Sequence, residues 1–195
     1  MIDAVRRAVG RLDRTADRAF DRLRGRPVAD RTMYAASELA DFSLLWHLVG
    51  ATRALGSRRS ERAAVRLSAT LAVESVLVNG LVKSLFRRTR PTTAEDRPLP
   101  VRTPRSSSFP SGHASAAFCA ATLLSESSPA WPVWYGLAGI VAASRVHVEI
   151  HHASDVLAGA AVGIAIGRAV RRVAPLDRRA PVNGMEPAPD RFGEA

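Results

Sequence analysis

Three short clusters along this chain have the residue types to handle a phosphate. They are Lys83 with Arg90-Pro91, then Pro110-Ser111-Gly112-His113, then Ser144-Arg145 followed by His151 and Asp155. Between them they supply what phosphoryl transfer needs: cations for the phosphoryl oxygens, an imidazole nucleophile, a carboxylate to orient it and an acid for the leaving oxygen. Lys83 is the only lysine among 28 Lys and Arg residues. Its compact ammonium suits a point-charge contact to a phosphate oxygen, whereas the planar Arg90 guanidinium suits a two-pronged one.

Local spacing suggests how each cluster would present itself. Lys83 and Arg90 are seven residues apart, almost two helical turns, so a helix ending at Pro91 would point both the same way. Arg87 and Arg88 fit a simpler reading, a positive flank on a membrane helix. Ser111 is suited to cap the apolar segment after it, turning free N–H groups and the positive dipole end toward an anion. Gly112 would let backbone approach a phosphate closely, and His113 in the first turn could protonate a departing oxygen. Plain capping beside an exposed histidine is the alternative. His151 and Asp155, four apart, would share a helix face, where a carboxylate on one ring nitrogen leaves the other to attack. Arg145 adds a third cation. The alternative here is Asp155 as a helix cap beside a surface histidine. His147 and His152 have no acidic residue four positions on and read as interfacial bystanders; His47 is remote in sequence. The His147, His151, His152 spacing lacks the carboxylates of common zinc patterns, so neither metal nor cofactor is expected.

These clusters must be carried by helices. Residues 2–23 are amphipathic, with Ile2, Val5, Val9, Leu12, Ala16, Phe20 and Leu23 at three- and four-residue steps. Such a helix could dock on its own protein or lie on lipid. Apolar stretches follow at 33–55, 63–82, 114–124, 130–143 and 156–170. None is a clean run of the ~20 residues a spanning helix prefers, so a soluble all-helical bundle is an alternative. The fifth stretch favours a membrane: it carries no charge from Val156 to Gly167, and Gly159, Gly163 and Gly167 form a small-residue stripe for close helix packing. Glu38, Asp41 and Glu74 inside such segments read as helix-to-helix hydrogen-bonding groups. The expected organisation is an amphipathic helix in 1–30, a helical membrane domain in 31–173 with a polar loop at 92–109, and a disordered tail at 174–195.

Composition narrows the partners. A net charge of +10 invites nucleic acid, but only 6% of residues are aromatic and none interleave with the arginines as a stacking platform would. An Arg-rich protein against anionic lipid fits better. The lone Cys119 lies in an apolar run and reads as a packing residue. Residues 1–30 contain no apolar core of signal-peptide length.

The ordered set of Lys83, Arg90, Pro91, Pro110, Ser111, Gly112, His113, Ser144, Arg145, His151 and Asp155 resembles the three-part signature of the type 2 phosphatidic acid phosphatase (PAP2) superfamily, which also includes the vanadium-dependent haloperoxidases. The resemblance implies an all-α, polytopic membrane bundle, here of about five spans plus the N-terminal helix, one fewer than the usual six. It implies a metal-independent phosphatase for a lipid phosphate or diphosphate, such as phosphatidic acid, phosphatidylglycerol phosphate or a polyprenyl phosphate. His151 would form a phosphohistidine, Asp155 would orient it and His113 would be the general acid. Lys83, Arg90, Ser111, Gly112 and Arg145 would hold the phosphoryl oxygens. A multi-pass position in the cell membrane with the site outward also follows, although the basic N-terminus then falls on the active-site side against the positive-inside rule. The alternatives are a vanadate-using haloperoxidase-like enzyme and a non-catalytic basic membrane protein.

Overall fold

The computed structural model describes residues 1–91, 99, 106–126 and 128–176. Most of the 92–109 loop and the tail beyond residue 176 lie outside the described residues. Within them the architecture is all-helical, without strands: α1 (Ile2–Asp21), α2 (Pro27–Leu39), α3 (Leu44–Ala54), α4 (Arg58–Ser75), α5 (Gly112–Leu124), α6 (Trp131–His147) and α7 (Ala153–Val173).

The stretch read as one apolar segment at 33–55 is in fact two helices. Phe42 (φ 52°) and Ser43 (φ 59°) stand in the left-handed region and turn the chain between α2 and α3. The turn puts Asp41 at an elbow facing the interior instead of on a helix side. α4 starts at the Ser57 cap, whose hydroxyl accepts the Ser60 N–H at 3.2 Å, and continues through a widened π-helical turn (Val76–Val82) into a tight turn at Lys83–Leu85. Phe86 is then extended, so Lys83 and Arg90 do not share a helix as their spacing suggested. Such π turns recur where a helix must re-aim a functional side chain; this one directly precedes Lys83.

α5 is the central helix, buried along nearly its whole length. Its alanines, with Cys119, pack against Trp46, Leu67, Leu71 and Val141 of α3, α4 and α6. On its other side the glycine stripe of α7 lets the two backbones meet. A Cβ at Gly159 would stand 2.3 Å from the Ser111 carbonyl oxygen, and one at Gly163 would stand 2.0 Å from that of Ser115. Close approach of this kind maximises van der Waals contact where lipid leaves no hydrophobic drive between helices.

Two helical rods are long and apolar enough to cross a membrane, Arg58–Leu85 with 28 residues and Ala153–Val173 with 21. α5 has 13 residues and α6 has 17, so the structure does not establish the expected span count. Val65, Val73, Val76, Leu81 and Leu85 project from the first rod into the surroundings, and Leu157 does so from the second. An apolar band of this extent on a water-soluble bundle would be a liability.

The two rods run in opposite senses. Arg66 Nη1 donates to the Ala174 carbonyl at 2.7 Å, joining the first half of α4 to the end of α7. Arg58, Arg59 and Arg62 therefore share one end of the bundle with Arg168, Arg171 and Arg172. The opposite end holds the start of α5, the end of α6 and the start of α7. There Arg24 secures the α1–α2 elbow by donating to the carbonyls of His147 and Val146, both at 3.0 Å, while also pairing with Asp17 and Asp21.

Candidate active site

Ser111 caps α5 with its hydroxyl, which accepts the Ala114 N–H at 3.4 Å, while its own N–H donates to the Asp155 carbonyl at 2.9 Å. The N-termini of α5 and α7 are thereby bonded together, which brings His113 and His151 to one end of the bundle. Gly112 answers a steric need: a Cβ there would lie 2.5 Å from Asn79 Oδ1 on the widened turn of α4.

His151 does not sit on α7. It belongs to the tight 148–152 turn, where Glu149 takes a positive φ of 54° and the N–H groups of Ile150 and His151 both donate to the Arg145 carbonyl at 3.1 Å. The four-residue step to Asp155 thus spans a turn and the first helical residues. His151 Nδ1 lies 3.7 Å from Asp155 Oδ2, longer than a hydrogen bond. Asp155 Oδ2 instead accepts the His152 N–H at 2.9 Å, so the capping role and the facing of His151 coexist in one carboxylate. The other ring nitrogen, Nε2, is 3.3 Å from Arg90 Nη1. Burial pushes the His151 ring down to about 3; Asp155 opposes the shift, and Arg90, Arg145 and Lys83 reinforce it. Above that value the ring is neutral and its lone pair is available.

A cavity of about 430 Å³ lies in front of this group, lined by Lys83, Gly112, His113 and His151 from the expected set. Arg90 adjoins it, held by the carbonyls of Ile150 (2.9 Å), Ser106 (3.2 Å) and Ser107 (3.4 Å), and burial lowers its guanidinium from the usual value. Arg145 is fully buried behind the group and donates to the Ser37 carbonyl and hydroxyl. Ser111 is buried in its capping role.

Several residues at the site were not anticipated as its members. Asp41 accepts from His113 Nε2 at 2.7 Å, so its partner is a ring at the site. Glu74 and His47 line the same cavity, His47 with its Nδ1 3.0 Å from the Ser68 hydroxyl; remoteness in sequence misplaced it. Glu38 is exposed and not a helix-to-helix group. His147 is buried rather than interfacial, bonded to Asp30 at 2.8 Å between the rings of Phe20 and Tyr34. His152 is the cap residue of α7 and approaches the Thr89 carbonyl at 3.3 Å. Arg88 is not a lipid-facing flank. It donates to Asp155 Oδ1 at 2.6 Å, to the Ser154 hydroxyl at 2.7 Å and to Asp13 at 2.6 Å. Only tandem arginine ahead of Arg90 hinted at it.

The described residues thus form an all-helical bundle with cations and two histidines gathered at one end. The same fold occurs in the transmembrane PAP2 type phosphatidylglycerolphosphate phosphatase of Bacillus subtilis, with a TM-score of 0.65 and 24% identity over 87% of this chain and 85% of that one. It occurs also in Aquifex aeolicus LpxE, with a TM-score of 0.65 and 23% identity over 83% of this chain and 93% of the other. In sequence, a decaprenylphosphoryl-5-phosphoribose phosphatase of Mycolicibacterium smegmatis is 34% identical over 139 residues, 70% of this chain and 74% of that protein. A lipid A 1-phosphatase of Porphyromonas gingivalis is 46% identical over 65 residues, 31% of this chain and only 15% of that protein. The Mycobacterium tuberculosis decaprenylphosphoryl-5-phosphoribose phosphatase is matched over about half its length, 51%, at 38% identity. The profile of the PAP2 superfamily matches residues 63–179. The chain belongs to the PAP2 superfamily.

Proposed function

We propose that this chain is a membrane-embedded phosphatase that hydrolyses a lipid phosphate or diphosphate through a phosphohistidine. The observation that carries the reading is the setting of His151, with Nδ1 toward a carboxylate and Nε2 beside Arg90, at a cavity that also holds Lys83 and His113. Nε2 attacks phosphorus and the ester P–O bond breaks. Lys83, Arg90 and Arg145 offset charge on the phosphoryl oxygens, helped by the start of α5 at Gly112. Asp155 stabilises the positive ring that forms. The leaving oxygen takes a proton from His113. Water then attacks the phosphohistidine, returning a proton to His113 and releasing inorganic phosphate. The relatives' names suggest phosphatidylglycerol phosphate, lipid A and polyprenyl phosphoribose types of substrate, and the protein is read as multi-pass with about five spans. Every cation in this scheme belongs to the protein, so phosphate release by detergent-purified protein is expected to persist in EDTA. Full loss in EDTA with rescue by a divalent ion would overturn the metal-independent scheme.

The Asp41 contact gives a sharper test of the acid. With Asp41 accepting from Nε2, the proton passed to the leaving oxygen must come from Nδ1 of the imidazolium, which the Asp41 carboxylate stabilises. Asp41→Asn is expected to slow a lipid phosphate about 10²-fold. It should slow para-nitrophenyl phosphate far less, because that leaving group departs without a proton. Equal losses on both substrates would assign Asp41 to structure alone.

A further inference from the structure

The family-matched region begins at residue 63, so α1 lies outside it, yet α1 reaches the catalytic carboxylate. Asp13 accepts the Ser154 N–H at 2.9 Å and the Ser154 hydroxyl at 3.0 Å, both in the first turn of α7, and pairs with Arg88 at 2.6 Å. Arg88 in turn holds Asp155 Oδ1 at 2.6 Å. The chain of contacts runs from α1 through one guanidinium to the carboxylate that faces His151. Asp13 is itself largely buried, with a side-chain exposure of 11%.

The rest of α1 is not built for the protein interior, since no residue of it is fully buried. Val9, Asp13, Ala16 and Phe20 turn toward the bundle, with Phe20 packed against the cluster of Ala114, Ala142, Val146 and Val156. Ile2, Val5 and Leu12, on the neighbouring flank of the helix, are left exposed. Arg7, Arg11, Arg14, Arg18 and Arg22 recur at three- and four-residue steps and cover the side opposite the apolar stripe. Helices with this partition rest at a bilayer surface, apolar side in the acyl boundary and arginines among anionic headgroups. The position agrees: Ser154 is the second residue of a rod long enough to span a membrane, and exposed Leu157 follows one turn deeper.

We infer that α1 is a lipid-seated helix that completes the active site, with Asp13 as a positioning residue that fixes Arg88 on Asp155, so that seating on anionic lipid and turnover are coupled. The coupling rests on the phosphatase reading; the seating does not. The test uses full-length protein in vesicles of phosphatidylcholine, with and without phosphatidylserine, and soluble para-nitrophenyl phosphate as substrate. Asp13→Asn and Asp13→Ala are expected to lower kcat about ten- to a hundredfold with little change in KM, because Arg88 is no longer held on Asp155, and Asp13→Glu should recover most of it. Val5→Ser combined with Leu12→Ser should weaken amide-exchange protection of residues 2–12 in vesicles and flatten the response to phosphatidylserine. Unchanged kcat in both Asp13 variants would overturn the coupling, and unchanged protection in the double variant would overturn the seating. If the wild-type protein releases no phosphate from this or any lipid substrate, the phosphatase reading itself fails. Amide exchange at Ser154 in Asp13→Ala, expected to rise, then decides whether Asp13 secures α7.

Discussion

His151→Ala is expected to abolish phosphate release, by at least about 10³-fold in kcat, with the protein still folded. In the proposed scheme the ring supplies the atom that bonds to phosphorus, and each of the other two histidines lining the cavity already has one ring nitrogen bonded. His113 is engaged by Asp41 through Nε2, and His47 is engaged by Ser68. His152 caps α7 and sits beside Thr89. The check is twofold. Turnover of a lipid phosphate should vanish in His151→Ala. Acid-labile, base-stable phosphate should be trapped on the wild-type chain by rapid quench and be absent from the variant. Wild-type turnover in the variant would remove His151 from the chemistry. Loss of turnover with the labelled intermediate retained would move the nucleophile elsewhere. Because burial has pushed the His151 ring down to about 3, protonation of this residue should not limit the rate in mildly acidic buffer.

The largest effect on stability is expected at Gly163. A single methyl group there would fall 2.0 Å from the Ser115 carbonyl oxygen and 2.9 Å from the Cys119 nitrogen, both backbone atoms of the central helix. Neither can rotate aside, so α5 and α7 must separate along their shared face. Gly163→Ala is therefore expected to cost about 3 kcal/mol or more, against the ordinary gain of alanine over glycine inside a helix. Gly139, on α6, is the matched control, since a Cβ there meets nothing within 4 Å. Gly139→Ala should be neutral or gain up to about 1 kcal/mol. Thermal unfolding of both variants in one detergent makes the comparison, and equal midpoints would refute the close packing. Gly159 differs in kind, because its obstruction is the Ser111 carbonyl, 2.3 Å away at the cap of α5. Displacing that cap moves Gly112 and His113, so Gly159→Ala should lose activity beyond its loss of stability.

Periodicity and local chemistry made much of this molecule legible. The helical class, the Ser111 cap, the amphipathic character of α1 and a glycine stripe suited to close packing all depend on neighbours a few residues apart. The three clusters belong with them, since each is a short pattern whose order along the chain points to the family. What could not be read was every pairing between elements. Helical periodicity says which residues share a face, but not which helix lies opposite. Asp13 and Ser154 are 141 positions apart, and Asp41 and His113 are 72 apart, with no pattern linking either pair. Arg88 resembles any membrane-flanking arginine until α1 and α7 close around it. The break at Phe42 and Ser43 was hidden as well, because neither residue type announces a left-handed backbone. The residue types suited to phosphate chemistry were thus written into the sequence. Which carboxylates and cations support them was decided only when α1, α4, α5 and α7 brought distant polar groups into a buried space, where each had to find a partner.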